Sequence, residues 1–440
     1  MSDTQTSDRS RRSVILLAYH YPPMVGPASR RAASFARYLP ENGWDPVVVT
    51  VKRGLFHRDP RYRPPSARTL RTRSPELGRL LRAFRDRGGE PGIDGREAVS
   101  GPVGGHALDR ARRLVRHYVY VPDALAPWIP FAVAGVRHAL RTAPGRAVLL
   151  SSSVPYSAHL AALAVSRSER VPWIAEFRDP WSGIDDRIRP RSRARKRIDA
   201  ALEARVVTAA SGVVVTSELT RDAMVATYPA LSERIWVVRN GFEPLEASAA
   251  TPPNRGAPLE LIHAGSVRQE ISVMPLLHGI DRVAKNRPGE VRLRIVGPPE
   301  PWRAAARALG GLDWLELAGL MDPAHAQHEI ARASAGVVLV PGEGNRQHVA
   351  AKLIDYLGAR RPIVAIVSAA GEMAKLARDY GDLRLVDDYS EGGVAGVVYA
   401  LLDEHRRGVL QLPAPGRRPA EELTSRAQVA KLAAALQSVL

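Results

Sequence analysis

The 440-residue sequence contains no cysteine. That absence excludes a disulfide framework, a thiolate zinc site, an iron–sulfur cluster and a cysteine nucleophile. No apolar run reaches the roughly 20 residues that span a bilayer. There is no GxGxxG and no GxxxxGK[ST], so a Rossmann dinucleotide fingerprint and a P-loop are both missing. No Gly-x-Ser-x-Gly elbow supports a serine hydrolase. No DxD-like motif stands at a strand end with further ligands, and no metal site is expected. Aromatics make up only 6%, which argues against a basic face interleaved with base-stacking rings. Residues 1–12 are polar and lack the apolar core of a secretion signal; a cytoplasmic protein is expected.

What is abundant is positive charge. Lysine and arginine number 63 against 45 acids, a formal net charge of +18. Such a balance favours anionic partners: nucleic acid, acidic lipid headgroups or phosphorylated small molecules.

Short β-branched runs alternate with helical stretches. In the first half they are Val14–Ala18, Pro46–Val51, Ala147–Ser151, Trp173–Phe177, Val213–Thr216 and Ile235–Val238. In the second half they are Leu259–Ala264, Val291–Val296, Trp314–Leu317, Val337–Val340, Pro362–Val367 and Leu383–Val386. Continuous apolar runs suit strands buried on both faces, as in parallel sheets. Between them Ala28–Leu39, Ala158–Arg167 and Val349–Leu357 carry helical periodicity, so an α/β chain is expected. The Ala/Pro/Gly-rich segment Glu243–Pro258 reads as an interdomain linker. We expect an N-terminal domain over 1–245, a C-terminal domain over 258–415, and a last segment, 416–440, packing back on the first domain.

A second break, 57–105, reads as an insertion without strand signal. From Arg58 to Arg87 it holds ten arginines and three acids, and Leu77, Leu80, Leu81 and Phe84 form one apolar stripe. The stripe suits a helix packed on its own domain, an interfacial helix on anionic lipid or, third, a nucleic-acid contact.

Residues with chemical potential cluster where runs end. Tyr19-His20-Tyr21-Pro22-Pro23-Met24-Val25-Gly26-Pro27 follows the first run. A glycine before a helix start lets backbone amides approach a phosphate, and the helix dipole favours the anion. His20 and His159 both fall near run ends; each suits a packing residue or a group facing a ligand.

The opening ILLAYHYPPMVGPASRRAASFARYLPENGWDPVVVTV resembles the start of family-4-type glycosyltransferases with the two-domain GT-B fold. Further matches follow in order: Val121-Pro122-Asp123 with Trp128, Ser153-Val154-Pro155 with His159, Phe177-Arg178-Asp179-Pro180-Trp181, and Asn240-Gly241-Phe242. The second half adds His263-Ala264-Gly265-Ser266, Ile295-Val296-Gly297, and Lys352 to Leu357 before Arg361-Pro362. The resemblance implies two Rossmann-like, doubly wound parallel-sheet domains facing a central cleft. It implies no cofactor, only a nucleoside-diphosphate sugar as co-substrate, bound by the C-terminal domain.

Carried over residue by residue, Gly265 and Ser266 match the turn whose amides face the diphosphate. Arg268 matches an arginine that usually pairs with a lysine some six residues on; Met274 stands there, and Lys352 is the candidate substitute. A leaving diphosphate accumulates negative charge that a pre-placed cation stabilises. The family's two glutamates, eight positions apart, fall at Gln347, facing the sugar, and Asp355, facing the ribose. In the N-terminal domain Gly26, Pro27 and His159 are substrate-binding candidates. His20, Arg178 and Asp179 are the catalytic candidates, with Asp179 receiving or orienting the acceptor's proton and Arg178 binding phosphate. An Arg178–Asp179 pair that merely holds its loop is the competing reading, and Glu176 reads as structural.

The resemblance thus implies a metal-independent, retaining glycosyl transfer, in glycan or exopolysaccharide assembly or in specialised metabolism. The acceptor is either lipid-linked, at the inner membrane face and met through the basic insertion 58–90, or a small soluble molecule. A pseudo-glycosyl coupling enzyme, a non-catalytic scaffold and a nucleic-acid-binding protein are the other readings; no nucleic-acid partner is expected.

Overall fold

The computed structural model describes residues 12–52, 58–59, 62–75, 121–183, 191–244, 256–268, 271–411, 414 and 416–440. The expected amphipathic stripe at 77–84 and most of the linker lie outside these. The chain separates into two compact units, Met1–Arg239 with Ser425–Leu440, and Asn240–Thr424.

The first unit runs β1 (Arg12–Ala18), α1 (Pro27–Tyr38), β2 (Asp45–Val51), β3 (Arg68–Thr72), α2 (Ile129–Thr142), β4 (Arg146–Ser153) and α3 (Ser157–Glu169). It continues with β5 (Trp173–Phe177), α4 (Arg193–Ala209), β6 (Gly212–Val215), α5 (Glu218–Thr227) and β7 (Ile235–Val237). The strands form one sheet in the order β3-β2-β1-β4-β5-β6-β7, parallel throughout. Val14 to Leu17 are wholly buried, as a strand sandwiched between helix layers must be. The order reverses between β1 and β4, so ligands are expected at the carboxyl ends of those two strands.

The insertion is not devoid of strand. Its residues Arg68–Thr72 pair in register with Val47–Val51. Leu70 alone is apolar in this half-exposed edge strand, so no continuous apolar run announces it. Edge strands carry charge because only one side is paired.

The second unit runs β8 (Leu259–Ala264), α6 (Met274–Asn286), β9 (Val291–Val296), α7 (Trp302–Ala308), β10 (Leu315–Gly319), α8 (Pro323–Arg332) and β11 (Ala335–Val340). Then come α9 (Ala351–Gly358), β12 (Ile363–Val367), α10 (Glu372–Tyr380), β13 (Leu383–Leu385) and α11 (Glu391–Arg407). The sheet order is β10-β9-β8-β11-β12-β13, which reverses between β8 and β11. Phe242, from the Asn-Gly-Phe turn, seats against Gly358, where an added Cβ would lie 2.5 Å from its ring. A side chain at 358 would therefore expel it.

The chain returns to the first unit through α12 (Ser425–Ser438). Val429, Leu432 and Leu436 share a core with Phe35, Tyr38 and Trp44. Gln428 Oε1 accepts from the Arg239 amide at 2.7 Å. The same exit strand is held by Arg31, whose guanidinium donates to the Val238 and Arg239 carbonyls and pairs with buried Glu176. Glu176 is structural, as expected.

Candidate functional site

In the second unit the Gly265 turn sits at the switch point, at the carboxyl end of β8. Gly265 has φ +97°, a left-handed region that favours glycine. Gly297 packs beneath it: an added Cβ there would lie 2.7 Å from the Gly265 carbonyl oxygen. Two glycine turns are thereby pressed together, leaving backbone rather than side chains at this rim.

Lys352, in the first turn of α9, reaches this turn. Its Nζ lies 2.7 Å from His263 Nε2 and donates to the Ser266 carbonyl at 3.1 Å. Burial pushes the ammonium down to about 7, with no carboxylate among its causes. Arg268 donates to Asn345 Oδ1 at 3.0 Å, and Asn345 Nδ2 donates to the Pro341 carbonyl. The structure thus brings Gly265, Ser266 and Lys352 together. Arg268 is tied to the loop that follows β11, the loop that also carries Gln347. Asp355, one turn after Lys352 on α9, lines a small pocket with Phe242, Glu243, Gln327 and Ile330.

In the first unit Gly26 precedes α1 with φ 135°, Pro27 occupies the first turn, and no side chain caps the helix. Its leading amides are a ready anion seat. His20, at the end of β1, is held neutral: burial, with a smaller contribution from the Arg178 guanidinium, pushes it down to about 3. At that value the imidazole stays uncharged at physiological pH and is a weak base, so it can donate or accept a hydrogen bond but does not readily take up a proton.

Arg178 does not extend toward a ligand as expected. Its Nε donates to the Ser153 carbonyl and Nη2 to the Val154 carbonyl at 2.7 Å. The cause is geometric: the turn from β4 to α3 leaves carbonyls outside any ladder, and a guanidinium satisfies two at once. Asp179 is half-buried beside it. Pro180 offers its carbonyl to Tyr156 Oη at 2.6 Å, and Trp181 is buried against the Tyr156 ring. The Phe-Arg-Asp-Pro-Trp segment thus clamps the Ser-Val-Pro turn.

His159 differs more strongly from expectation. It is wholly buried in the first turn of α3, packed on Phe177, with Nδ1 2.7 Å from Ser151 Oγ. Ser151 Oγ in turn accepts from the Trp173 indole at 2.8 Å. Helical periodicity turns this histidine inward, so it belongs to the core. Asp123 was not among the candidate functional residues, yet it caps α3: its carboxylate accepts from the Ser157 amide and hydroxyl at 3.0 and 2.6 Å. His263, read from the sequence only as the first residue of the glycine-turn motif, and Asn345 are also absent from the candidate site residues; a polar residue inside an apolar run is the signal for the first.

Among the described residues no helix is long and apolar enough to cross a membrane. The sequence model of Glycosyltransferase Family 4 matches residues 79–244. No curated protein matches the chain in sequence. Among solved structures, Anabaena Alr3699/HepE in complex with UDP-glucose superposes with a TM-score of 0.60 at 13% identity, covering 97% of this chain and 100% of that one. A glycosyltransferase from Rickettsia africae gives 0.57 at 9% identity, covering 98% of each chain. The lipopolysaccharide outer core galactosyltransferase WaaB gives 0.53 at 13%, covering 98% and 100%. The two Rossmann-like parallel-sheet units are those of the GT-B fold.

Proposed function

We propose that the chain is a glycosyltransferase that takes its sugar from a nucleoside diphosphate, with UDP the first candidate because Anabaena HepE holds UDP-glucose. The observation that carries this reading is the Lys352 ammonium beside the Gly265 turn at the switch point of the second unit. Backbone amides and a cation at the end of a parallel strand are what a leaving diphosphate requires.

In this reading Gly265 and Ser266 face the diphosphate, Lys352 and Arg268 neutralise it, Asp355 holds the ribose hydroxyls, and Gln347 bonds a hydroxyl of the sugar. In the first unit Gly26 and Pro27 border the acceptor side. Asp179, within the clamp segment, receives or orients the acceptor's proton, neutral His20 offers the acceptor a hydrogen bond, and Arg178 acts by holding the turn. Transfer proceeds with retention and without a bound metal, the leaving group being stabilised by protein cations. The acceptor is a lipid-linked glycan or a small soluble molecule. Flotation with anionic vesicles, with and without residues 58–90, separates the two: equal recovery rejects a membrane role for that segment.

A thermal-shift panel of uridine, guanosine, thymidine and adenosine diphosphates and their sugars tests the donor site. A shift with one nucleotide class is expected; no shift with any would overturn the reading. Proton NMR of the product's anomeric signal tests retention.

A further inference from the structure

We propose that His263 is a positioning residue for the donor site: its Nε2 fixes Lys352 Nζ over the Gly265 turn, where the ammonium meets the diphosphate. The inference rests on the donor-site reading above and extends it to a residue that touches no ligand.

His263 lies in β8, one residue before the strand's end, and is wholly buried. Its Nδ1 lies 3.1 Å from the Val337 carbonyl. A carbonyl only accepts, so Nδ1 carries the proton and Nε2 presents a lone pair. That lone pair faces Lys352 Nζ at 2.7 Å. The ring's orientation is further limited by Trp302, whose centroid lies 5.1 Å away. The imidazole therefore cannot swing: β11 holds one nitrogen, and the other is left as a fixed acceptor.

Lys352 gains a defined place from this. A lysine on a flexible four-carbon stem is a poorly aimed charge. Here two of its three N–H groups are engaged, by His263 and the Ser266 carbonyl, leaving one donor for a ligand. Both partners are neutral, so the positive charge is oriented without being cancelled. The placement is adverse for the empty protein, because a cation in the first turn of α9 opposes the helix dipole. It becomes favourable once an anion occupies the turn. A carboxylate in place of His263 would hold the lysine equally well, but would repel the diphosphate.

The test compares Kd for UDP with Kd for uridine, in the full chain, by calorimetry and competition NMR. Lys352→Met should weaken UDP about tenfold or more and leave uridine within about twofold, since only the diphosphate meets the ammonium. His263→Asn retains a donor for the Val337 carbonyl but is too short to reach Lys352; it should weaken UDP about fivefold and spare uridine. His263→Gln, whose amide oxygen reaches the Nε2 position, should restore UDP binding to within about threefold of the wild type. If His263→Asn leaves UDP binding unchanged while Lys352→Met abolishes it, the positioning role is wrong and the donor site stands. Equal losses for UDP and uridine in His263→Asn would also overturn it, showing a packing role. An unchanged Kd in Lys352→Met would overturn both, as would a wild type that binds none of the four nucleoside diphosphates; if another of them binds in place of UDP, it and its nucleoside are the pair compared.

Discussion

The ring of Trp181 lies nearly parallel to that of Tyr156, with centroids 4.5 Å apart and an interplanar angle of 8°. Both rings are buried, and their hosts are the two turns that follow β5 and β4. This stack and the Arg178 hydrogen bonds make one joint of what look like two separate sequence signatures. Trp181→Ala should lower the unfolding free energy by about 3–5 kcal/mol, the usual cost of emptying a large aromatic site. Chemical denaturation measures it; a loss below about 1 kcal/mol would show that the joint is not structural.

Much of this architecture was legible in the sequence because buried parallel strands declare themselves as apolar runs. Trp173–Phe177, Leu259–Ala264 and Val291–Val296 emerge with their expected bounds. The strand at Arg68–Thr72 did not, because an edge position asks for little burial. In the candidate site, glycines at strand ends could be read from chain order alone. What could not be read was direction: whether His159 faces outward or inward, or whether Arg178 serves a ligand or a backbone. Those outcomes depend on which carbonyls a turn leaves unpaired, and a linear pattern does not carry that.

Asp355→Ala should weaken nucleotide binding by roughly 1–3 kcal/mol through lost charged hydrogen bonds. Calorimetric titration with UDP checks this, and an unchanged Kd would remove Asp355 from the ribose position.

Acid should destabilise the first unit through two imidazoles, the wholly buried His159 and the half-buried His20. Burial pushes His20 and His159 each down to about 3. Unfolded histidine titrates near 6.5, so between those values the unfolded chain binds more protons than the folded one. Stability must then fall as pH drops below about 6.5, by about 1.4 kcal/mol per pH unit for each group. Unfolding curves from pH 7 to pH 4 test this. His159→Asn should flatten the dependence, and an identical slope would contradict the assignment.

Lys352 adds a linkage of opposite use. Its ammonium is held down to about 7, so it loses charge as pH rises through that value. UDP affinity should decline between pH 6 and pH 8.5 in the wild type and much less in Lys352→Met. In the empty protein the unfolded lysine binds its proton up to about 10.4, so stability attributable to this residue rises with pH from 7 to 10. Parallel Kd profiles at fixed ionic strength decide the first point.

The return of α12 has a practical bearing on how the polypeptide can be divided. Residues 1–239 are not a self-sufficient fragment, because Val429, Leu432 and Leu436 complete the packing around Phe35 and Trp44, and Gln428 secures the Arg239 amide. A chain cut after Thr424 would expose that apolar surface and should aggregate. Joining the last sixteen residues to Arg239 through a short glycine-serine bridge should yield a soluble first half, while Asn240–Thr424 can be excised as an uninterrupted piece.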